Sequence, residues 1–385
     1  MYKKLIFFLL LVLVTVIGVG CGGSEKNDSN PTGAEPDLGD GKPLTPGTID
    51  ATPCNTNASE AAKNVLKYLA TLTERNAQGV ISGQNCGHGN EITTGNYLTF
   101  IETLHQQTGQ YVGMIGIDYE YQKVFSPEEL LSANTELKNY WKNGGLVTIN
   151  WSPTNPWSNS DPVTYADIRN KYPDTDLNKL ITPGSSVYKK WMATLDRIAA
   201  ALDDLNKAGV VVLWRPMQEM NGIWFWWGKV QTSDKNDAYT AVWRHMYDYF
   251  TNTKGLNNLL WVFSPNYGQS FSSFPYPGKD YVDIIGGTQY SDQLIAEGYN
   301  DYLAYRKPVG MAEYGPADWE TTVPEGALDN RLYIKRLKQN YPRVAYWVTW
   351  HSWPGVKMAI VDNQYAKELM NDPYMINRGM ISLTK

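Results

Sequence analysis

From residue 79 to residue 350 the chain repeats one rhythm: a short β-branched or apolar run, then a longer stretch that includes apolar residues at helical spacing. The short runs fall at 79–84, 112–118, 146–151, 210–215, 259–263, 282–287, 309–313 and 344–350. Strands that alternate with helices build a parallel sheet, because a parallel neighbour is reached only through a long crossover. Eight is the strand number that closes on itself, so the expected fold is α/β, a (β/α)8 TIM barrel. An open doubly wound sheet is the rival. It would carry a Gly-rich phosphate turn after its first strand, and the segment 83–89, GQNCGHG, lacks that spacing. Residues 59–76, 186–207 and 238–253 show helical periodicity and are expected to pack one apolar face on the barrel.

The barrel does not need the amino-terminal fifty residues. Lys3 and Lys4 precede an apolar run from 5 to 19, too short for a comfortable membrane span and of the length of a secretory signal core. Gly18, Val19, Gly20 and Cys21 resemble a bacterial lipoprotein cleavage box. The segment that follows is rich in Gly, Ser, Asn, Asp and Pro and has little to bury. The expected organisation is a signal peptide over 1–20, a disordered tether over 21–52 and one catalytic domain over 53–385. On this reading the chain is a cell-envelope lipoprotein at the outer membrane or cell surface, held to the membrane only by a lipid on Cys21, and a monomer. Cys54 and Cys86 then remain, either as a disulfide or as free thiols.

A net charge of -5 with 19% charged residues gives no basic stripe for a phosphate backbone, so nucleic acid is not an expected partner. The four histidines are scattered and no Cys or His cluster has metal-ligand spacing, so neither a metal nor another cofactor is expected. The rings are more telling. There are 14 Trp and 26 Tyr against 9 Phe, so most of them pair a flat apolar face with a polar handle, as sugar-binding sites require. Core packing accounts for many of these.

In a barrel the carboxyl ends of the strands gather on one face, where active sites are built. The short runs end in or near Gln84, Asp118, Trp151, Arg215, Tyr290, Glu313 and Trp350, with Glu219 just beyond the fourth. Glu219 lies in WRPMQEMNGIWFWWG (214–228) and Glu313 in MAEYG (311–315). Strands four and seven stand on opposite sides of a barrel mouth. Hydrolysis of a glycosidic bond needs one protonated carboxyl to assist the leaving oxygen and one ionised carboxyl to attack or to activate water. The plainer alternative is an ion pair, with Arg215 neutralising Glu219. Likewise Trp224, Trp226 and Trp227 are core residues or, for at least one of them, a platform for a sugar ring.

The run WRPMQEMNGIWFWWG resembles the acid/base region of glycoside hydrolase family 26, mostly endo-β-1,4-mannanases with a (β/α)8 barrel. The similarity extends through GQ (83–84), NWSPTNP (150–156), LLWVFSPN (259–266), MAEYG and VTWHSW (348–353). It implies a retaining enzyme acting on a polysaccharide, with Glu219 as acid/base, Glu313 as nucleophile and Tyr290 orienting the nucleophile. The expected substrate contacts are Trp151, Ser152, Arg215, Gln218, Asn221, Trp224, Trp227 and Trp350. Three positions depart from the family's mannanases, which usually carry histidine at Gln218 and Ser152 and aspartate at Thr288. A site built for one hydroxyl discriminates strongly when its partner changes. The leading substrate is therefore β-1,4-mannan, with β-1,3-xylan or mixed-linkage β-glucan as alternatives. A non-catalytic surface glycan-binding protein is the reading from another class.

Overall fold

The computed structural model describes residues 38, 41–121, 123–160, 164–169, 172, 175–228, 236–267, 275–316 and 325–383. The expected signal segment and Cys21 lie outside them. The strands are β1 (Val80–Ile81), β2 (Gly83–His88), β3 (Met114–Asp118), β4 (Leu146–Trp151), β5 (Val212–Pro216), β6 (Leu259–Phe263), β7 (Ile284–Tyr290), β8 (Val309–Gly315), β9 (Val344–Thr349) and β10 (Met375–Ile376). From β2 to β9 each strand pairs in parallel with the next. β9 then meets β2 at one register pair, Gln84 with Thr349, and the ring closes. The expected eight-stranded barrel is present, and β1 lies between β10 and β9 below the seam.

The first expected strand is broken in two at Ser82, whose backbone N–H donates to Ile376 and whose hydroxyl donates to Asn377 at 2.7 Å. Those bonds draw β1 toward β10, a two-residue strand too short to be read from sequence. The next residue must be glycine. A Cβ on Gly83 would lie 2.5 Å from the carbonyl oxygen of Trp347 on β9.

Side-chain parity separates two buried layers. Residues two apart on a strand share a face, so Leu213 and Arg215 both point into the barrel. Helix α1 (Glu60–Thr73) starts at Ser59, whose hydroxyl accepts from the Ala62 N–H, a cap that contributes about 1 kcal/mol. Its Ala62, Val65, Leu66 and Leu69 share one buried cluster with Leu213, Leu260, Val262, Ile284 and Val348. A helix can touch inward-pointing residues only at an open end of the ring. α1 therefore plugs the end opposite the strands' carboxyl ends. The outward faces of the strands meet the helical layer instead. There α2 (Pro127–Lys142), begun by a Ser126–Glu129 capping box, and α3 (Tyr188–Lys207) pack on Ile149, Trp151, Val212 and Trp214.

Cys54 and Cys86 are both free, which decides between the two expectations for them. The Cys54 N–H donates to Asp283, while Cys86 lies buried on β2 with its thiol directed at the Gln84 carbonyl.

Candidate active site

Arg215 is the pivot of the barrel mouth. It is fully buried and its guanidinium donates to three acceptors: Ser264 Oγ at 2.7 Å, the Thr288 hydroxyl, and Glu313 Oε2 at 2.7 Å. The plain expectation that Arg215 neutralises Glu219 is thus replaced by a pair with Glu313, three strands on. Tyr290, at the end of β7, donates its hydroxyl to the other Glu313 oxygen at 2.6 Å. Both oxygens of Glu313 accept, as a carboxylate does. The register shifts between Gly287 and Thr288 against β8, which sets Thr288 opposite Glu313.

Glu219 hangs from a tight bend after β5. Met217 and Glu219 both adopt positive φ, 47° and 56°, conformations rare for residues with a side chain. The bend is held from the next strand, because the Glu219 N–H donates to the Ser264 carbonyl at 2.7 Å. Its side-chain oxygens accept from the Trp224 indole at 2.5 Å and from the Asn266 amide at 3.2 Å. The indole can come so near because Gly222 has no side chain: a Cβ there would lie 2.3 Å from the Trp224 ring. Burial and then the charge of Glu313 push the Glu219 carboxyl up to about 7, against the opposing pull of Arg215, Trp224 and Asn266. One carboxyl held as an acceptor on both oxygens beside another whose proton affinity is raised toward neutrality is the arrangement that an acid and nucleophile pair requires.

The other expected contacts divide. Gln218 and Ser152 lie together in a buried relay in which the Gln218 amide donates to Ser152 Oγ at 2.7 Å and that hydroxyl donates to Asp118 at 2.7 Å. Burial raises Asp118 to about 6. The side-chain amide oxygen of Gln218, Oε1, is buried and accepts from nothing within the protein. Asn221 exchanges two hydrogen bonds with the Asn266 backbone, 2.7 and 2.8 Å, and so positions Asn266, whose amide reaches Glu219. Trp350, just past β9, is 6% exposed and forms ring contacts with His88 and His351.

Two expected substrate contacts are corrected. Trp151 points outward by strand parity, is stacked between Trp191 and Trp214, and donates its indole N–H to Glu120. Trp227 is 1% exposed, stacked on Phe225, and donates its indole N–H to the backbone carbonyl of Gln218. Neither ring has a free face, so both belong to the core. Ser264 and Asn266 are the site residues that sequence reasoning missed, although SPN directly after β6 was the available signal. The histidines also need correction. Among the described residues His88, Glu91 and His351 converge, with one ligand atom from each lying within 4.8 Å of the others.

Comparison with known proteins gives a consistent picture. The family profile described as Glycosyl hydrolase family 26 matches residues 54–380. A Caldalkalibacillus mannanilyticus protein named mannan endo-1,4-β-mannosidase A and B is 34% identical over 85% of this chain, which spans 62% of that protein. The Bacillus subtilis mannan endo-1,4-β-mannosidase is 32% identical over 88% of this chain and 91% of its own length. The solved Bacillus subtilis mannanase BCman superposes with a TM-score of 0.76 at 31% identity, covering 87% of this chain and 98% of its own.

Proposed function

The chain belongs to glycosyl hydrolase family 26, and on that premise we propose that it is a retaining endo-β-1,4-mannanase in which Glu313 is the nucleophile and Glu219 the acid/base. The observation that carries this reading is the doubly held Glu313, with Arg215 on one oxygen and Tyr290 on the other, acting on the proton affinity of Glu219.

In the first step a Glu313 oxygen attacks the anomeric carbon while Glu219 gives its proton to the departing glycosidic oxygen. The carbon–oxygen bond of the linkage breaks and a glycosyl ester of Glu313 forms. Esterification removes the charge of Glu313, one of the two causes that raise Glu219. Glu219, now a carboxylate in a weaker negative field, takes a proton from water, and the hydroxide attacks the same carbon from the side the leaving group vacated. Glu313 is expelled as a carboxylate, and two inversions leave net retention.

Glu219→Gln and Glu313→Gln should each abolish hydrolysis of soluble β-mannan while the melting curve stays cooperative. Cleavage at the wild-type rate by either variant would remove that residue from its role. Gln218, Ser152 and Thr288 support a second reading, the same chemistry on β-1,3-xylan or mixed-linkage β-glucan. Measuring oligosaccharide release from each purified polysaccharide separates them, and activity on a glucan or xylan alone would replace mannan as the substrate.

We further place the enzyme at the cell envelope, with residues 1–20 removed on export and the lipid on Cys21 as its only membrane contact. The support is the sequence of the leader and tether. Loss of the membrane-bound fraction in Cys21→Ser is the expected result, and a variant that stays in the membrane pellet would refute the anchor.

A further inference from the structure

We propose that His88, Glu91 and His351 form a binding site for a transition-metal dication of the Zn2+ class, which ties the two strands of the barrel's closing seam together. His88 ends β2 and His351 lies two residues past β9, so the imidazoles come from the strands that share a single register pair. Glu91 comes from the turn after β2. One nitrogen from each ring and one carboxylate oxygen lie within 4.8 Å of one another. The His88 Nδ1 to Glu91 Oε2 distance is already 3.3 Å, close to the roughly 3.3 Å ligand–ligand edge of a tetrahedron with metal bonds near 2.0–2.1 Å.

The rings are held as metal ligands usually are. His351 faces Asn85 Oδ1 through Nδ1 at 2.7 Å, which orients the ring and leaves Nε2 as its remaining donor atom. His88 is stacked on Tyr121 at 4.8 Å and lies edge-on to His351 at 4.7 Å. Both histidines are more than nine-tenths buried.

Two imidazoles and one carboxylate favour Zn2+ over Ca2+ or Mg2+, which take oxygen ligands. Three protein ligands leave a fourth position for water or a hydroxyl, beside Trp350. An open-sided bridge between β2 and β9 would do for the mouth of the barrel what the Ser82 and Asn377 contacts do below it.

The test uses tag-free full-length protein, stripped with EDTA and dialysed, titrated with ZnCl2 by calorimetry and followed by thermal melting. The expected result is one Zn2+ per chain at micromolar affinity or tighter, with a saturable rise in melting temperature. His88→Gln and Glu91→Gln should each weaken binding at least tenfold and remove the rise. His105→Gln, at a histidine outside the cluster, should change neither. Glu91 is 45% exposed at its side chain, so its variant should fold even if His88→Gln does not. No stoichiometric binding by the wild type, or binding that survives Glu91→Gln, would overturn the proposal.

Discussion

Trp224→Phe tests the acid/base assignment without destroying it. The indole N–H donates to Glu219 at 2.5 Å and steadies the charged form of that carboxyl, so removing the donor must raise the proton affinity of Glu219. A hydrogen bond to a charged group contributes about 1.5–3 kcal/mol and one between neutral groups about 0.5–1.5 kcal/mol. The difference between the two protonation states is thus about 1–1.5 kcal/mol, or roughly one pH unit at 1.36 kcal/mol per unit. Glu219 works protonated, so kcat/KM falls as pH rises through its pKa of about 7. In the variant that alkaline limb should move to about pH 8. The profile of kcat/KM reports the free enzyme, so a change in substrate contact at position 224 alters its height and not its limb. Initial rates of mannan cleavage from pH 4 to 10 give the curve. A limb that stays in place, or moves toward acid, refutes the reasoning.

Tyr290→Phe removes a 2.6 Å donor from Glu313 and leaves Arg215 on the other oxygen, so kcat/KM should fall roughly 10- to 150-fold with the fold intact. Unchanged steady-state rates would show that this bond does not serve catalysis. Arg215→Met strands a buried carboxylate and the hydroxyls of Ser264 and Thr288, at a cost of about 3–5 kcal/mol in urea unfolding. A loss below 1 kcal/mol would deny Arg215 its central place. Burial pushes the Cys54 and Cys86 thiols up, and neither is bridged. In a Cys21→Ser background a thiol reagent at pH 8 should label neither until denaturant is added, and dithiothreitol should leave the melting temperature unchanged. Fast labelling of the folded protein would contradict their placement.

The barrel was legible because a parallel strand buried on both faces is a short apolar run in any sequence, and these runs end in polar residues where the site is built. Glu219 and Glu313 could be picked out for that reason, and Tyr290 through the family resemblance. Trp151 and Trp227 were misplaced because a sequence names a ring but not the face on which it lies. Parity held a partial warning: Asn150 and Arg215 face the mouth, so Trp151 and Trp214 must turn to the helices. The His88, Glu91 and His351 cluster was hidden for another reason. Its third member is over 250 residues away in sequence, and only closure of the ring makes them neighbours.

That closure also sets the order of events during synthesis. Gln84 on β2 pairs with Thr349 on β9, far along the chain, so a growing chain still on the ribosome has an open barrel edge until β9 has emerged. Such a nascent chain cannot finish folding early. A premature stop before β9 would leave that edge unpaired and yield a sticky, unfinished product instead of a smaller enzyme.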